Sequence, residues 1–353
     1  MAGEQVLVGM SGGVDSAAAA ALLLEKGYQV TGCLLRLHLG PEDPSWAQSL
    51  ADAQAVADKL GIQLICADYS ELFRRQVMDY FAAAYQAGLT PNPCVQCNRQ
   101  VKFSALCQEA DRIGAPYIAT GHYAVVDQEK ATGRMQLLRG DDRAKDQSYF
   151  LYPLSQAVLR RLLLPVGHWT KAQVRALAEE RGLVNARKKD SQDICFIPGG
   201  EYGAFLTSWG VSPQPGDFLD TSGQVLGRHQ GLERYTTGQR RGLGVSGGRP
   251  LYVLRKDLKA NAVILGDESE LYCRTVWAED FQWVSLPEQT DALAVTAKTR
   301  YSQGETEAVL YPEDEGRVRV VFAAPQRAVT AGQSLVAYVG DAVVGGGVIC
   351  RAQ

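Results

Sequence analysis

The sequence predicts an α/β protein: a doubly wound parallel sheet, then a small β-rich domain, then a C-terminal β-barrel. Three observations predict it. A glycine-rich junction, Gly9-Met10-Ser11-Gly12-Gly13-Val14-Asp15-Ser16, separates an apolar strand-like run from an alanine-rich helix. Behind it strand-like and helix-like segments alternate as far as about residue 120, the pattern of a parallel sheet wound on both faces. Beyond about residue 205 the periodicity changes to short alternating strands separated by Pro-Gly, Ser-Gly and Gly-rich turns.

Taken in order, Gln5 to Val8 reads as the first strand, and Ala17 to Lys26, with five alanines and three leucines, as a buried helix. Tyr28 to Leu37 is the second strand, Trp46 to Leu60 a helix, and Gly61 to Tyr69 the third strand. Phe73, Val77, Tyr80, Phe81 and Tyr85 recur at helical spacing within Glu71 to Gly88. The prolines of Thr90-Pro91-Asn92-Pro93-Cys94-Val95-Gln96-Cys97 then impose an extended loop. A helix resumes at Lys102, and Pro116 to Thr120 is a fourth strand whose carboxyl end carries Gly121-His122-Tyr123. Met135 to Gly140 reads as a strand edge, and Leu154 to Arg181 supplies two helices. A basic run, Arg187-Lys188-Lys189, leads to a lone cysteine at Cys195. In the last part, Ala294 to Tyr301, Glu305 to Tyr311, Arg317 to Phe322 and Ser334 to Val339 have the spacing of a compact barrel. The expected domains are 1–200, 201–267 and 268–353.

A chain of 353 residues exceeds the usual single core. Its 46% hydrophobic and 21% charged content is that of a soluble globular protein, and no apolar stretch approaches membrane-spanning length, so a cytoplasmic protein without a membrane partner is expected. Eight cysteines in such a chain point to catalytic or metal-binding use of some of them. Cys33, Cys66, Cys107, Cys273 and Cys350 lie in apolar runs and read as small core residues. The net charge of −3 leaves nucleic-acid binding to a local basic face.

The junction at Gly9 to Ser16 gathers backbone N–H groups and the positive end of a helix dipole in one concavity, which suits phosphate oxygens. Gly12 and Gly13 permit close approach. No lysine follows, so this is not the GxxxxGK[ST] loop, and the spacing is not that of GxGxxG. Asp15 would repel a phosphate unless a cation bridged them, which implies Mg²⁺. Lys145-Asp146-Gln147, taken alone, reads as a solvated turn.

Ser-Gly-Gly-Val-Asp-Ser resembles the PP-loop of the ATP pyrophosphatases. The chain adds the CxxC of Cys94 and Cys97 after Pro-Asn-Pro, Thr120-Gly121-His122-Tyr123, the run Lys145 to Leu151 and Ile194-Cys195-Phe196-Ile197. It continues with His229-Gln230-Gly231, Gly238-Gln239-Arg240, Thr299-Arg300-Tyr301 and Gly332-Gln333-Ser334. With these motifs in this order it resembles the tRNA-specific 2-thiouridylases over nearly its whole length. That resemblance implies a PP-loop domain and a tRNA-uridine 2-sulfurtransferase. ATP adenylates the 2-carbonyl of the wobble uridine, anticodon position 34. Sulfur then comes from a cysteine persulfide or from iron–sulfur-bound sulfide, giving 2-thiouridine, AMP and pyrophosphate. It assigns ATP contacts to Gly9 through Ser16, Leu35 and Gly121, and Mg²⁺ to Asp15. It assigns contacts to the anticodon arm of Glu, Gln and Lys type tRNAs to Asn92, Pro93, His122, Lys145, Asp146, Gln147, Arg300, Tyr301 and Gln333. A flipped-out base is required.

The resemblance makes Cys97 the nucleophile and Cys195 the persulfide carrier, loaded by a sulfur-relay protein or cysteine desulfurase. The basic run at 187–189 is expected to lower a thiol pKa. Cys94 departs from the family, many of whose members carry aspartate there. Cys94, Cys97 and Cys195 are similar to a trio that holds a 4Fe-4S cluster in some sulfurtransferases. A Cys97–Cys195 disulfide is the alternative and zinc a third; the cluster is preferred because a third thiol has no evident purpose in a two-thiol scheme. Other PP-loop adenylating enzymes need no such cysteines, and an RNA-binding module with a degenerate ATP site would not keep Ser11, Gly12, Gly13, Asp15 and Ser16 intact.

Overall fold

The structure is a computed structural model that describes residues 3–38, 40, 42–186, 188, 193–245 and 248–353. Its first unit is built on five parallel strands in the order β3-β2-β1-β4-β7: β1 Gln5–Gly9, β2 Gln29–Arg36, β3 Gln63–Asp68, β4 Tyr117–Ala119 and β7 Leu162–Leu163. Val6, Leu7 and Val8 of β1 are fully buried, as a central parallel strand covered on both faces requires. Helix α1 (Val14–Glu25) lies on the sheet through Ala17 to Ala20, none of them exposed, because alanines let helix and sheet approach closely. Strands β2 and β4 flank β1, so connections depart to both sides of its carboxyl end; this is the switch point at which ligands bind in such sheets.

Helix α2 (Pro44–Leu60) starts at Asp43, whose carboxylate accepts from the Ser45 N–H, and stops at Gly61 in the left-handed region (φ 66°). The predicted helix over 71–88 is interrupted: α3 (Ser70–Phe73) and α4 (Tyr80–Gln86) flank a π-helical turn at Arg74–Asp79. A second π-helical turn, Asn98–Lys102, joins α5 (Pro93–Cys97), which holds the CxxC, to α6 (Phe103–Arg112). Such turns recur at functional sites.

An antiparallel hairpin, β5 (Ala124–Gln128) and β6 (Met135–Arg139), leaves the first unit. Short helices α7 (Ser148–Leu151) and α8 (Gln156–Leu159) follow, then α9 (Lys171–Glu180) and α10 (Tyr202–Ser208). The middle unit is a four-stranded sheet, β10-β11-β8-β9, formed by β8 (Gly216–Leu219), β9 (Val225–His229), β10 (Tyr252–Asp257) and β11 (Ala262–Gly266), over a core of Phe218, Val253, Val263 and Leu265.

The last unit is a closed six-stranded barrel of β12 (Tyr272–Trp283), β13 (Leu293–Lys298), β14 (Thr306–Pro312), β15 (Val318–Arg327), β16 (Ser334–Val339) and β17 (Ala342–Ala352); its order is β12-β15-β14-β13-β16-β17, and β12 pairs with β17 to close it. Alternation fills it: Val318, Val320 and Phe322 of β15 point inward and are buried. The β5–β6 hairpin extends this sheet, β6 pairing with β17 at Leu138 and Ala342. Arg139 secures the junction, its guanidinium 4.0 Å from the Tyr338 ring centre and paired with Glu305. Among the described residues no helix is long and apolar enough to cross a membrane. Of the five cysteines expected in the core, Cys33 is buried and Cys107 and Cys273 are half-buried, but Cys66 and Cys350 are exposed. Cys66 lies on an edge strand and Cys350 near the end of the last one, where the apolar run continues past the covered face.

Candidate active site

Two clusters meet at the carboxyl ends of β1 and β4. In the first, the Ser11 N–H donates to Ser16 Oγ (3.2 Å), which donates to the Gly13 carbonyl (3.1 Å), while Gly12 turns the chain at φ 67°. Met10 and Val14 face the core, so the loop offers backbone rather than their side chains. Gly121 packs so tightly that an added Cβ would lie 2.5 Å from the Asp15 carbonyl carbon and 2.6 Å from the Ser16 nitrogen. Leu35 is half-buried near the end of β2.

The Asp15 carboxylate is held firmly. Tyr123 Oη donates to Oδ1 at 2.7 Å, and Lys171 Nζ donates to Oδ1 and Oδ2 at 2.7 and 2.8 Å. Lys171 opens α9, whose N-terminus is closed by a capping box of Thr170 and Gln173, and its backbone N–H donates to Asp142 Oδ2 (2.9 Å). Sequence reading missed both partners, because neither lies near the loop in the chain.

In the second cluster the Asn92 side chain caps α5 by accepting from the Val95 N–H (3.3 Å), fixing the turn that presents the CxxC. Cys97 is buried, whereas Cys94 and Cys195 are open to solvent. Pro91, Asn92, Pro93 and Cys94 line a cleft of about 1110 Å³ together with Phe150 and Gln333. Loss of hydration is the main cause pushing the Cys195 thiol up to about 12, with Cys97 and Cys94 adding to it. Loss of hydration also raises Cys94 and Cys97.

Of the basic run expected to lower a thiol pKa, only Lys188 is described. Lys188 donates instead to the Gly12 carbonyl (3.2 Å) and Asp52 Oδ2 (2.6 Å), at the phosphate loop, and Arg187 and Lys189 lie outside the described residues. The cation that opposes the rise at all three cysteines is Lys102, at the end of the second π-helical turn. Among the described residues no group of three His, Cys, Asp or Glu side chains is arranged to hold a metal ion.

Gly121 and His122 join the clusters. Gly121 backs Asp15, while His122 lies over the Phe103 ring at 5.8 Å and exchanges a hydrogen bond with Thr120 Oγ1 (2.7 Å). Burial, aided by the Lys102 charge, pushes the His122 imidazole down to about 3, so it is neutral at pH 7.

The residues expected to grip RNA divide. Tyr301 is exposed and packs tilted against Phe150, with ring centres 4.5 Å apart and with Lys298 Nζ 5.9 Å from its centre. Lys145 is half-buried. Asp146 is turned inward, accepting from the N–H groups of Gly140 and Ser148 (3.1 Å each) and from Ser148 Oγ (2.9 Å), because the polar turn folds over its own carboxylate. Gln147 Oε1 accepts from the Tyr123 N–H (3.0 Å). Arg300 also points inward; it donates to the carbonyls of Thr237 and Ala328 and to Thr330 Oγ1 (2.6 Å), clamping the middle unit to the barrel. Gln333 Nε2 donates to the Thr90 carbonyl (2.8 Å), tying the barrel to the proline loop. Asp146 and Arg300 thus bond the protein's own chain.

Residues 4–199 match the tRNA methyl transferase HUP domain family, 204–267 the tRNA methyl transferase PRC-barrel domain family, and 273–349 the aminomethyltransferase beta-barrel domain family. The chain is 45% identical over 358 residues to the tRNA-specific 2-thiouridylase MnmA of Acetivibrio thermocellus, covering 99% of this chain and 100% of that one. It is 46% identical over 359 residues to the protein of the same name from Heliobacterium modesticaldum, covering 99% and 93%. The namesake from Carboxydothermus hydrogenoformans is 45% identical over 355 residues, covering 98% and 97%.

Proposed function

The chain belongs to the tRNA-specific 2-thiouridylases, ATP-using tRNA-uridine 2-sulfurtransferases, and from that premise we propose how its two clusters divide the reaction. The loop Gly9 to Ser16 binds the polyphosphate of ATP through its backbone N–H groups, with Leu35 and Gly121 bordering the nucleotide. Asp15 is the loop's carboxylate and would hold Mg²⁺ once Lys171 gives up one of its oxygens; the ion would then neutralise charge on the departing pyrophosphate. The 2-oxygen of the wobble uridine attacks the α-phosphorus. The bond to the bridging oxygen breaks, and its electron pair leaves with pyrophosphate. The uridine now carries AMP as a good leaving group. Neutral His122 borders the flipped base, which reaches the site through the cleft lined by Asn92, Pro93 and Cys94.

Sulfur arrives as a persulfide on Cys195, delivered by a sulfur-relay protein or cysteine desulfurase. Its terminal sulfur attacks C2 and AMP departs. The Cys97 thiolate then attacks Cys195 Sγ, breaking the S–S bond so that the sulfur stays on the base. A Cys97–Cys195 disulfide forms, and an external dithiol reduces it. Lys102 is the cation nearest this exchange in effect. The alternative, in which Cys94, Cys97 and Cys195 would hold a 4Fe-4S cluster that supplies sulfide, uses the same residues; in the disulfide route Cys94 has no sulfur to carry. Cys94 then borders the base. Lys145, Tyr301 and Gln333 contact the anticodon arm, while Asp146, Gln147 and Arg300 shape the surface that receives it. Glu, Gln and Lys type tRNAs are the proposed substrates.

The observation that supports this reading is the pair Gly121-His122: Gly121 backs Asp15 of the phosphate loop, while His122 feels the charge of Lys102, the same cation that acts on the three thiols. The test is anaerobic purification with iron and sulfide quantification, followed by nucleoside mass analysis of tRNA treated with ATP and a persulfide donor. Iron-free protein should make 2-thiouridine. Inactive protein restored by iron and sulfide would replace the disulfide route with the cluster.

A further inference from the structure

We propose that Lys171 is a polyphosphate-binding residue of the ATP site, the lysine that the loop's own sequence lacks. The inference rests on the adenylation reading and deepens it. The ammonium of Lys171 is 2.7 and 2.8 Å from the two carboxylate oxygens of Asp15, the acidic residue of the loop, and its side chain is only 12% exposed. Tyr123 closes the arrangement from the other side, its hydroxyl on Asp15 Oδ1 and its ring centre 5.8 Å from Nζ.

An ordinary surface ion pair contributes little and is freely hydrated. This one is recessed, and it stands where α1 begins and β1 ends, the place at which phosphate charge would accumulate. Two features argue that it is built for a ligand. Lys171 is the first residue of α9; its own N–H donates to the Asp142 carboxylate, and the reciprocal bonds of the Thr170–Gln173 capping box fix the helix turn that carries it. That much support positions the root of a long side chain that would otherwise wander. In addition, the loop contains a carboxylate and no cation of its own, so a polyphosphate entering it meets repulsion unless positive charge is supplied from elsewhere. Lys188 bonds the Gly12 carbonyl and Asp52, on the outer side of the loop, which leaves Lys171 as the described ammonium on Asp15.

In chemical terms, Lys171 binds oxygens of the β- and γ-phosphates. It stabilises the charge that develops there when the bond between the α-phosphorus and the bridging oxygen breaks and the electron pair leaves with pyrophosphate. A lysine acts here as a compact, hydrated point charge that needs no planar partner. The residue therefore distinguishes ATP from AMP, since AMP carries nothing for it to hold.

Calorimetric titration of the full chain with Mg²⁺ and α,β-methylene-ATP, and separately with AMP, tests this in wild type and in Lys171→Met. The expected result is analogue binding about 10- to 100-fold weaker in the variant with AMP binding within about twofold of wild type. Equal analogue affinity in a folded variant overturns the proposal, as does a matching loss for AMP. A wild-type chain that binds neither nucleotide refutes the adenylation reading itself. If Lys171→Met does not fold, a crystal structure of the unaltered chain with the analogue decides. Nζ within about 3.2 Å of a phosphate oxygen supports the assignment, and Nζ still on Asp15 alone with the analogue bound overturns it.

Discussion

The phosphate end and the sulfur end of the site are built to opposite standards. At the phosphate end every group is already locked: Ser16 ties the loop, Gly121 touches the Asp15 backbone, and Tyr123 and Lys171 hold the carboxylate. At the sulfur end two of the three cysteines are exposed residues, yet loss of hydration around the sulfurs pushes all three thiols toward the neutral form, which does not react. The proposed adenylation depends on geometry that must exist before ATP arrives. A thiolate or persulfide that was reactive in the absence of tRNA would be lost to oxidants and stray thiols, so a protonated resting state is protective. The contrast teaches that the enzyme stores order where charge must be met and withholds reactivity where sulfur is exposed.

The sharpest way to break this comparison is to remove the thiols. Cys97→Ser and Cys195→Ser should each lower 2-thiouridine formation by about 10³-fold or more, with tRNA-dependent ATP–pyrophosphate exchange kept near wild type. Thiolated tRNA from either variant at more than a few per cent of wild type would show that the two ends are not divided in this way. The converse change is Asp15→Ala, expected to reduce the exchange about 100- to 1000-fold while filter-bound tRNA affinity is retained. Unchanged exchange would remove Asp15 from the phosphate end.

A smaller effect is expected of pH. The Cys195 thiol is raised from 9.0 to about 12, so its thiolate fraction climbs about tenfold per pH unit up to that value. Persulfide loading of Cys195, followed by mass spectrometry, should therefore rise steeply between pH 7 and 9 while exchange stays nearly flat. A flat loading curve would mean that the thiolate is already formed. Gly121→Ala tests the rigidity of the phosphate end. Its Cβ meets backbone at 2.5 Å, and relieving that overlap should cost about 1–3 kcal/mol of stability in a denaturant titration and weaken ATP binding. The smallest effect belongs to His122. Its imidazole is lowered from 6.5 to about 3, so the stability it contributes is fully present above about pH 6.5 and is lost as the pH falls toward 3. His122→Gln should flatten the acid limb of the melting-temperature profile; an identical acid limb would deny the burial.

What could be read in the sequence was what is local in the chain. Ser11 to Ser16 announced a phosphate loop because the whole motif lies within one turn, and the strand alternation at 294–339 announced a barrel because period two is visible in a short window. Lys171 was illegible for the opposite reason: it reaches Asp15 from 156 positions away, and helix α9 by itself looks like any capped surface helix. Lys188 is near Cys195 in the chain, yet its ammonium bonds the phosphate loop, a placement that spacing along the sequence does not disclose. Asp146 and Arg300 look like surface charges, and only their hydrogen bonds reveal that they face inward. The π-helical turns at 74–79 and 98–102 keep the apolar spacing of an ordinary helix closely enough that pattern alone does not disclose them.

The β5–β6 hairpin that completes the barrel sheet imposes a schedule on biosynthesis. Its edge strand is translated roughly 200 residues before the strand it must pair with, a delay of about 10 to 40 s at ordinary elongation rates. During that interval β6 has its neighbour β5 but lacks β17, and an unpaired strand edge is the feature most prone to joining another chain. A truncation near residue 268 would make that vulnerable interval permanent. The nascent chain thus has reason to depend on a holding chaperone late in its synthesis, after its catalytic residues have already emerged.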